Sequence, residues 1–166
     1  MRATAIAMGL VLALALTAAA QRVPPTDIRA VDAFIDAPHT LFGRSRPSVE
    51  RALGPPPEVR ARTLSGGRSA PIDPIAELVY PGIVLGISRG PAGLRRVEIR
   101  EPRWALPSGL NVGVARDRVE ATLGEPQVVT DASALYLYAD GFPNTVEFHF
   151  RDGRVQRIEW LYAPAD

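Results

Sequence analysis

The chain has 166 residues, 46% hydrophobic and 22% charged, which admits one modest domain with a real core and excludes a disordered or collagen-like chain. It holds no cysteine, so disulfides, thiolate metal sites, a cysteine nucleophile and a lipidated cysteine are excluded. Its 19 basic residues, all arginine, meet 18 acidic ones, which leaves no basic excess for nucleic acid and no polybasic cluster for an anionic membrane.

The first segment carries Arg2, an apolar run from Ala5 to Leu16, and Ala18, Ala19 and Ala20 ahead of Gln21. That layout is a secretory signal peptide over residues 1–20, and a periplasmic or secreted location is expected. The competing reading is an uncleaved anchor, because Ala3 to Ala20 nears the roughly 17–25 residues of a spanning helix; weakly apolar alanine and the Ala-x-Ala ending favour cleavage. Residues 21–39 follow as an N-terminal segment. In it Thr26 to Asp36 reads as a helix with Thr26 as N-cap, Ile28, Val31 and Ile35 inward, and Pro38 beyond its end.

The rest of the chain repeats itself. Residues 43–56, GRSRPSVERALGPP, align with residues 113–126, GVARDRVEATLGEP, with identity at Gly43/Gly113, Arg46/Arg116, Val49/Val119, Glu50/Glu120, Leu53/Leu123, Gly54/Gly124 and Pro56/Pro126. Downstream, ELVYPG matches YLYADG with Tyr80 set over Tyr138. LRRVEI likewise matches VQRIEW, with Arg96 and Glu98 over Arg157 and Glu159. These matches divide the chain into repeat 1 at 40–103 and repeat 2 at 104–162, with a Gly, Ser and Pro-rich surface loop around 63–74 as the extra length of repeat 1.

Each repeat opens on a short helix. Val49, Ala52 and Leu53, like Val119, Thr122 and Leu123, fall at i, i+3 and i+4, and Gly54 and Gly124 sit where a left-handed residue ends the helix. Strands follow. In repeat 1 they centre on Leu78 and Tyr80, on Ile83, Leu85 and Ile87, and on Val97 and Ile99. In repeat 2 a weak strand at Gln127 to Thr130 precedes Leu135 to Tyr138, Thr145 to Arg151 and Val155 to Tyr162. Val146, Phe148 and Phe150 alternate with Glu147, His149 and Arg151, so that strand has one buried and one wet face. Asp152-Gly153 marks a hairpin, and the facing of Ile158, Trp160 and Tyr162 requires a bulge or longer loop beyond it. The expected fold is α+β: two tandem α-β-β-β(-β) repeats forming an antiparallel sheet with short helices on one face.

The unit Gly-x-x-Arg-x-x-Val-Glu-x-x-Leu-Gly-x-Pro, with its Tyr, aromatic strand and Asp-Gly turn, resembles the SmpA/OmlA-type domain of outer-membrane assembly lipoproteins. Its tandem form is similar to the β-lactamase inhibitory protein fold. The resemblance implies helices on one face of a curved sheet and an open face for partners. Gln21 stands where those lipoproteins carry a lipidated cysteine.

Catalytic signatures are missing. His39 and His149 are far apart, and no HExxH, paired cysteine, phosphate loop or serine elbow occurs, so no cofactor and no metal is expected. His39 falls in a connection and reads as solvated. His149 projects with Glu147 and Arg151, next to Arg157 and Glu159 on the following strand. This is either a charge-compensated face or a binding patch. Tyr136 and Tyr138 alternate with Leu135 and Leu137; with the leucines under the helices, the tyrosines reach the open face, where Tyr and Arg suit an interface. The expected function is noncatalytic binding of a protein partner in the cell envelope, as an assembly accessory or hydrolase inhibitor, through Tyr136, Tyr138, Glu147, His149, Arg151 and Arg157. The alternative is a small envelope enzyme or ligand-binding protein using His149 and Glu147.

Overall fold

The computed structural model describes residues 23–64, 73–138 and 144–163. The expected signal peptide and most of the 63–74 loop lie outside the described residues. The elements are α1 (Ile28–Phe42), α2 (Arg46–Leu53), β1 (Glu58–Leu64), β2 (Asp73–Tyr80), β3 (Ile83–Ser88), β4 (Leu94–Ile99), a 3₁₀ turn (Pro107–Gly109), α3 (Arg116–Leu123), β5 (Val128–Val129), β6 (Ser133–Leu137), β7 (Thr145–Arg151) and β8 (Arg154–Leu161). The fold is α+β, with three helices and one eight-stranded antiparallel sheet in the order β1-β2-β3-β4-β8-β7-β6-β5. β4 and β8 join at the middle, pairing Val97 with Trp160 and Ile99 with Ile158.

The core lies on one side of this sheet, where Leu78, Leu85, Val97, Phe148, Ile158 and Trp160 are fully buried. α1 packs against them: the Phe34 ring lies 5.3 Å from Phe148 and 5.5 Å from Trp160. α1 is longer than its sequence suggests. Asp27, not Thr26, is the N-cap and accepts from the Ala30 N–H, while the Thr26 hydroxyl is diverted to the Glu125 carbonyl at 2.6 Å. The helix also runs through Pro38 to Phe42. Proline removes the N–H that would serve the Phe34 carbonyl four residues back. Nε1 of Trp160 donates to that carbonyl at 3.0 Å, and the Tyr162 hydroxyl donates to the neighbouring Ile35 carbonyl at 2.7 Å. Two aromatic side chains thus supply the polar partners that let the helix pass a proline.

The repeated sequence motif has a local physical role at both of its sites. Nε of Arg46 reaches Oε1 of Glu50, and Nε of Arg116 reaches Oε1 of Glu120, each at 2.7 Å one helical turn apart. Val49 and Val119 are fully buried, and Gly54 and Gly124 take φ of 81° and 79°. The Tyr80 hydroxyl donates to the Gly54 carbonyl at 2.9 Å and the Tyr136 hydroxyl to the Gly124 carbonyl at 3.0 Å. The structural counterpart of Tyr80 is therefore Tyr136, not Tyr138.

The expected bulge is present. β7 and β8 shift register between His149 and Phe150, where the pairing skips Gln156, and β3 and β4 shift between Gly86 and Ile87, where it skips Arg95. Asp152-Gly153 forms the two-residue turn, with φ of 52° and 69°. β1 was not expected: Glu58, Arg60 and Arg62 alternate with Val59, Ala61 and Thr63, but the second set is only weakly apolar, and residues 58–63 are exposed on both faces.

Two outcomes follow for folding stability, measured by urea unfolding. Trp160→Phe should cost about 1–3 kcal/mol by leaving the Phe34 carbonyl buried without a donor. Gly54→Ala should cost about 1–2 kcal/mol for its positive φ. Gly124→Ala should cost a further ~1–3 kcal/mol, since its Cβ would stand 2.1 Å from the Pro25 oxygen whereas that of Gly54 meets nothing within 4 Å.

Candidate functional site

The sheet face opposite Trp160 carries the charges. Across it, strand registers align residues into rows. Leu137, Thr145, Leu161, Arg96, Gly86 and Glu77 form one row, and Leu135, Glu147, Glu159, Glu98 and Val84 the next. Ser133, His149 and Arg157 begin a third. Three glutamates therefore face one another directly on β7, β8 and β4, an arrangement that like-charge repulsion disfavours unless cations flank it.

Arg96 supplies the first flank. Its side chain is 6% exposed and touches three carboxylates: Nε lies 2.6 Å from Oε1 of Glu159, Nη1 lies 3.2 Å from Oε1 of Glu77, and Nη2 bonds Oε2 of Glu98. Gly86 makes room for this, because a Cβ there would stand 3.2 Å from Cβ of Arg96 and 2.6 Å from Cδ1 of Ile75. Arg62 reaches the other side of Glu77 at 3.0 Å. On the second flank Arg100 contacts Oε1 of Glu98 without hydrogen-bond alignment, and Arg157 stands 3.8 Å from both Glu98 and Glu159.

His149 completes that flank. Its Nε2 lies 3.1 Å from Nη2 of Arg157, 3.6 Å from Oε2 of Glu147 and 3.8 Å from Oε2 of Glu159. Arginine only donates, so a bare Nε2 accepts from Arg157, and a protonated Nε2 instead turns to the carboxylates. In the tautomer with a bare Nε2, the lone pair a general base would use is engaged by Arg157. Burial pushes the Glu159 carboxyl up, but its contact with His149, its hydrogen bond from Arg96 and the charges of Arg96 and Arg157 outweigh it and hold it at about 2. A carboxyl so firmly ionised is no general acid near neutrality. Among the described residues, no group of three His, Cys, Asp or Glu side chains is placed to hold a metal.

The structure therefore brings Glu147, His149 and Arg157 together with Glu159, as the strand alternation implies, and sets exposed Arg151 at the end of β7. The two tyrosines are a correction. Tyr136 is fully buried on the helix side, its hydroxyl on the Gly124 carbonyl, and burial pushes that hydroxyl up in pKa. Tyr138 is half-buried on the same side, where it borders a groove of about 380 Å³ with Thr26, Ile28, Val31, Gln127 and Leu137. The leucines take the opposite face instead. Leu137 is 40% and Leu161 41% exposed. The reason is the Gly124 carbonyl, which needs a hydroxyl donor from β6 that leucine cannot provide.

His39 is also not a solvated loop residue. It lies in the last turn of α1, its ring 4.2 Å from that of Tyr162, and burial followed by Arg44 lowers its pKa. Sequence reasoning missed Glu77, Arg62, Leu137 and Leu161 as members of the charged face. Leu137 follows from the alternation of β6 once its tyrosines are set on the helix side, and Leu161 from its place next to Trp160 in β8.

No family model matches the sequence, and no curated protein matches it. Solved structures similar to it include the protein YfeY of Escherichia coli, at 14% identity and TM-score 0.43 over 69% of this chain and 86% of that one. A cysteine-rich secretory protein of Staphylococcus aureus matches at 12% identity and TM-score 0.44, over 85% of this chain and 47% of that one. A proposed β-lactamase inhibitor protein of Streptococcus mutans matches at 15% identity and TM-score 0.28, over 79% and 90%. At these scores none of the three assigns a family or a function to the chain.

The depressed Glu159 carboxyl links stability to acid. Its contribution is fully present above the ordinary carboxyl value of 4.5 and is lost as pH falls from there to about 2. Unfolding free energies measured between pH 6 and pH 2 should fall by about 2–3 kcal/mol on this account. Glu159→Gln should be less stable at pH 6 and should show a flatter decline.

Proposed function

We propose that the chain is a periplasmic or secreted, noncatalytic protein-binding module, built as a tandem duplication of one SmpA/OmlA-like unit, whose charged sheet face recognises a partner in the cell envelope. The duplication is supported by the paired Arg-Glu contacts in α2 and α3, the paired Tyr-to-Gly bonds and the mirrored strand order. The observation that carries the binding reading is the layering of the face. Exposed Leu137 and Leu161, in the row that runs on to Arg96 and Glu77, lie beside the row of glutamates, and His149 and Arg157 lie beyond it, both still part-exposed.

Such a face suits a folded partner for two reasons. Its buried charges are already compensated by Arg96, so docking does not strand them in a dry interface. Its exposed leucines and arginine supply the apolar and planar cationic contacts that interfaces favour. An assembly accessory and a hydrolase inhibitor would both present this face. Catalysis through His149 and Glu147 is the weaker reading, because Nε2 lies between Arg157 and two carboxylates, and in the tautomer that leaves it bare Arg157 occupies it.

The test is capture of a partner from native envelope extract by the purified protein, followed by direct titration of that partner. Leu137→Ser/Arg151→Ala, which leaves the ion pairs of Arg157 intact, should weaken the titrated affinity by about tenfold or more while changing unfolding free energy by less than about 0.5 kcal/mol. Binding that survives this variant would sink the sheet-face reading. Turnover of a substrate abolished by His149→Ala would replace it with an enzyme.

A further inference from the structure

The two ends of the sheet are finished differently. β5 is an edge of only two residues, whereas β1 is an edge of seven, paired to β2 along its whole length without a register shift and without proline or glycine. Residues 58–63 are exposed on both faces, Val59 at 47%. Sheet proteins blunt long edges with prolines, bulges, short strands or covering elements, because free backbone N–H and C=O groups otherwise template another strand. Among the described residues β1 carries none of these and has only the remaining device, charged side chains.

What it does carry is an ordered set of charges. Glu58, Arg60 and Arg62 share one face of the strand, and Arg60 makes two hydrogen bonds of 2.7 Å to the Glu58 carboxylate. We propose that β1 pairs antiparallel with β1 of a second copy of this chain, about a two-fold axis through Arg60. In that register Glu58 of each copy stands opposite Arg62 of the other and Val59 stands opposite Ala61. A strand read backwards against itself is complementary here at both ends. The two Arg60 side chains meet on the axis, and each is neutralised by its own bidentate Glu58. The two eight-stranded sheets then continue as one, which closes both free β1 edges through an isologous contact. The proposal involves neither Leu137 nor His149, so it stands independently of the sheet-face reading.

The experiment is sedimentation velocity of the full chain from micromolar to hundreds of micromolar, with circular dichroism to confirm folding. Wild type should pass from monomer to dimer. Glu58→Arg sets like charges opposite each other at two symmetric positions and should weaken the dimer by about tenfold or more. Arg62→Glu should do the same, and the double variant Glu58→Arg/Arg62→Glu should recover the dimer to within about threefold of wild type. Amide exchange of residues 59–63 should slow with concentration in wild type but not in Glu58→Arg, a readout that remains if Arg62→Glu loses stability with its Glu77 contact. A chain monomeric at every concentration, a dimer indifferent to both single changes, a double variant that stays monomeric, or a β1 edge that pairs only with a foreign peptide would overturn the proposal.

Discussion

Joining β4 to β8 at the centre of the sheet sets Glu98 directly opposite Glu159, with Glu147 next in line, and Arg96 is the group that makes this join tolerable. A guanidinium with so little exposure must be fully paired or it costs several kcal/mol; here it reaches Glu77, Glu98 and Glu159 through separate nitrogens. Arginine suits this role where lysine would not, since its planar fork addresses three acceptors in fixed directions. The glycine at 86 is part of the same device, because a side chain there would occupy the space the guanidinium stem and Ile75 share.

On the other side of the same strands the join depends on α1. Pro38 leaves the Phe34 carbonyl without its helical donor, and the indole of Trp160 takes the vacant role while its ring stacks on Phe34. The Tyr162 hydroxyl donates to the neighbouring Ile35 carbonyl. Both aromatics belong to the last strand and its continuation, so the end of the chain is tied to its first helix by directional bonds as well as by apolar packing. Arg95, released by the β3-β4 bulge, adds a hydrogen bond from its Nε to the Tyr162 carbonyl at 2.7 Å.

These two constraints shape what the charged face can do. Its central residues are held in structural ion pairs, and its outer residues are half-exposed beside leucines. A site for acid-base chemistry would need a free lone pair or a carboxyl poised near neutrality. The face instead has an engaged imidazole and a firmly ionised Glu159.

The sequence by itself determined the elements that rest on local rules. The 3.6-residue spacing of Val49 and Leu53, the left-handed glycines at 54 and 124, the alternation in β7, the Asp152-Gly153 turn and the need for a bulge in β8 are all short-range, and each is present. Alternation also brought Glu147, His149 and Arg157 to one face. Tertiary structure decided which face of β6 is inside, because period two says only that tyrosines and leucines part company. The choice came from the Gly124 carbonyl, which lies 12 residues before Tyr136 at the end of α3. It likewise decided that α1 continues past Pro38, since the donor that replaces the missing N–H lies at residue 160. β1 was hard to read because its alternation sets charged residues against only Val59, Ala61 and Thr63, a weakly apolar face that stays wet at the edge. The three-glutamate row was hidden for a related reason: register between strands is set by long-range pairing, and only the β4-β8 join placed Glu98 and Glu159 side by side.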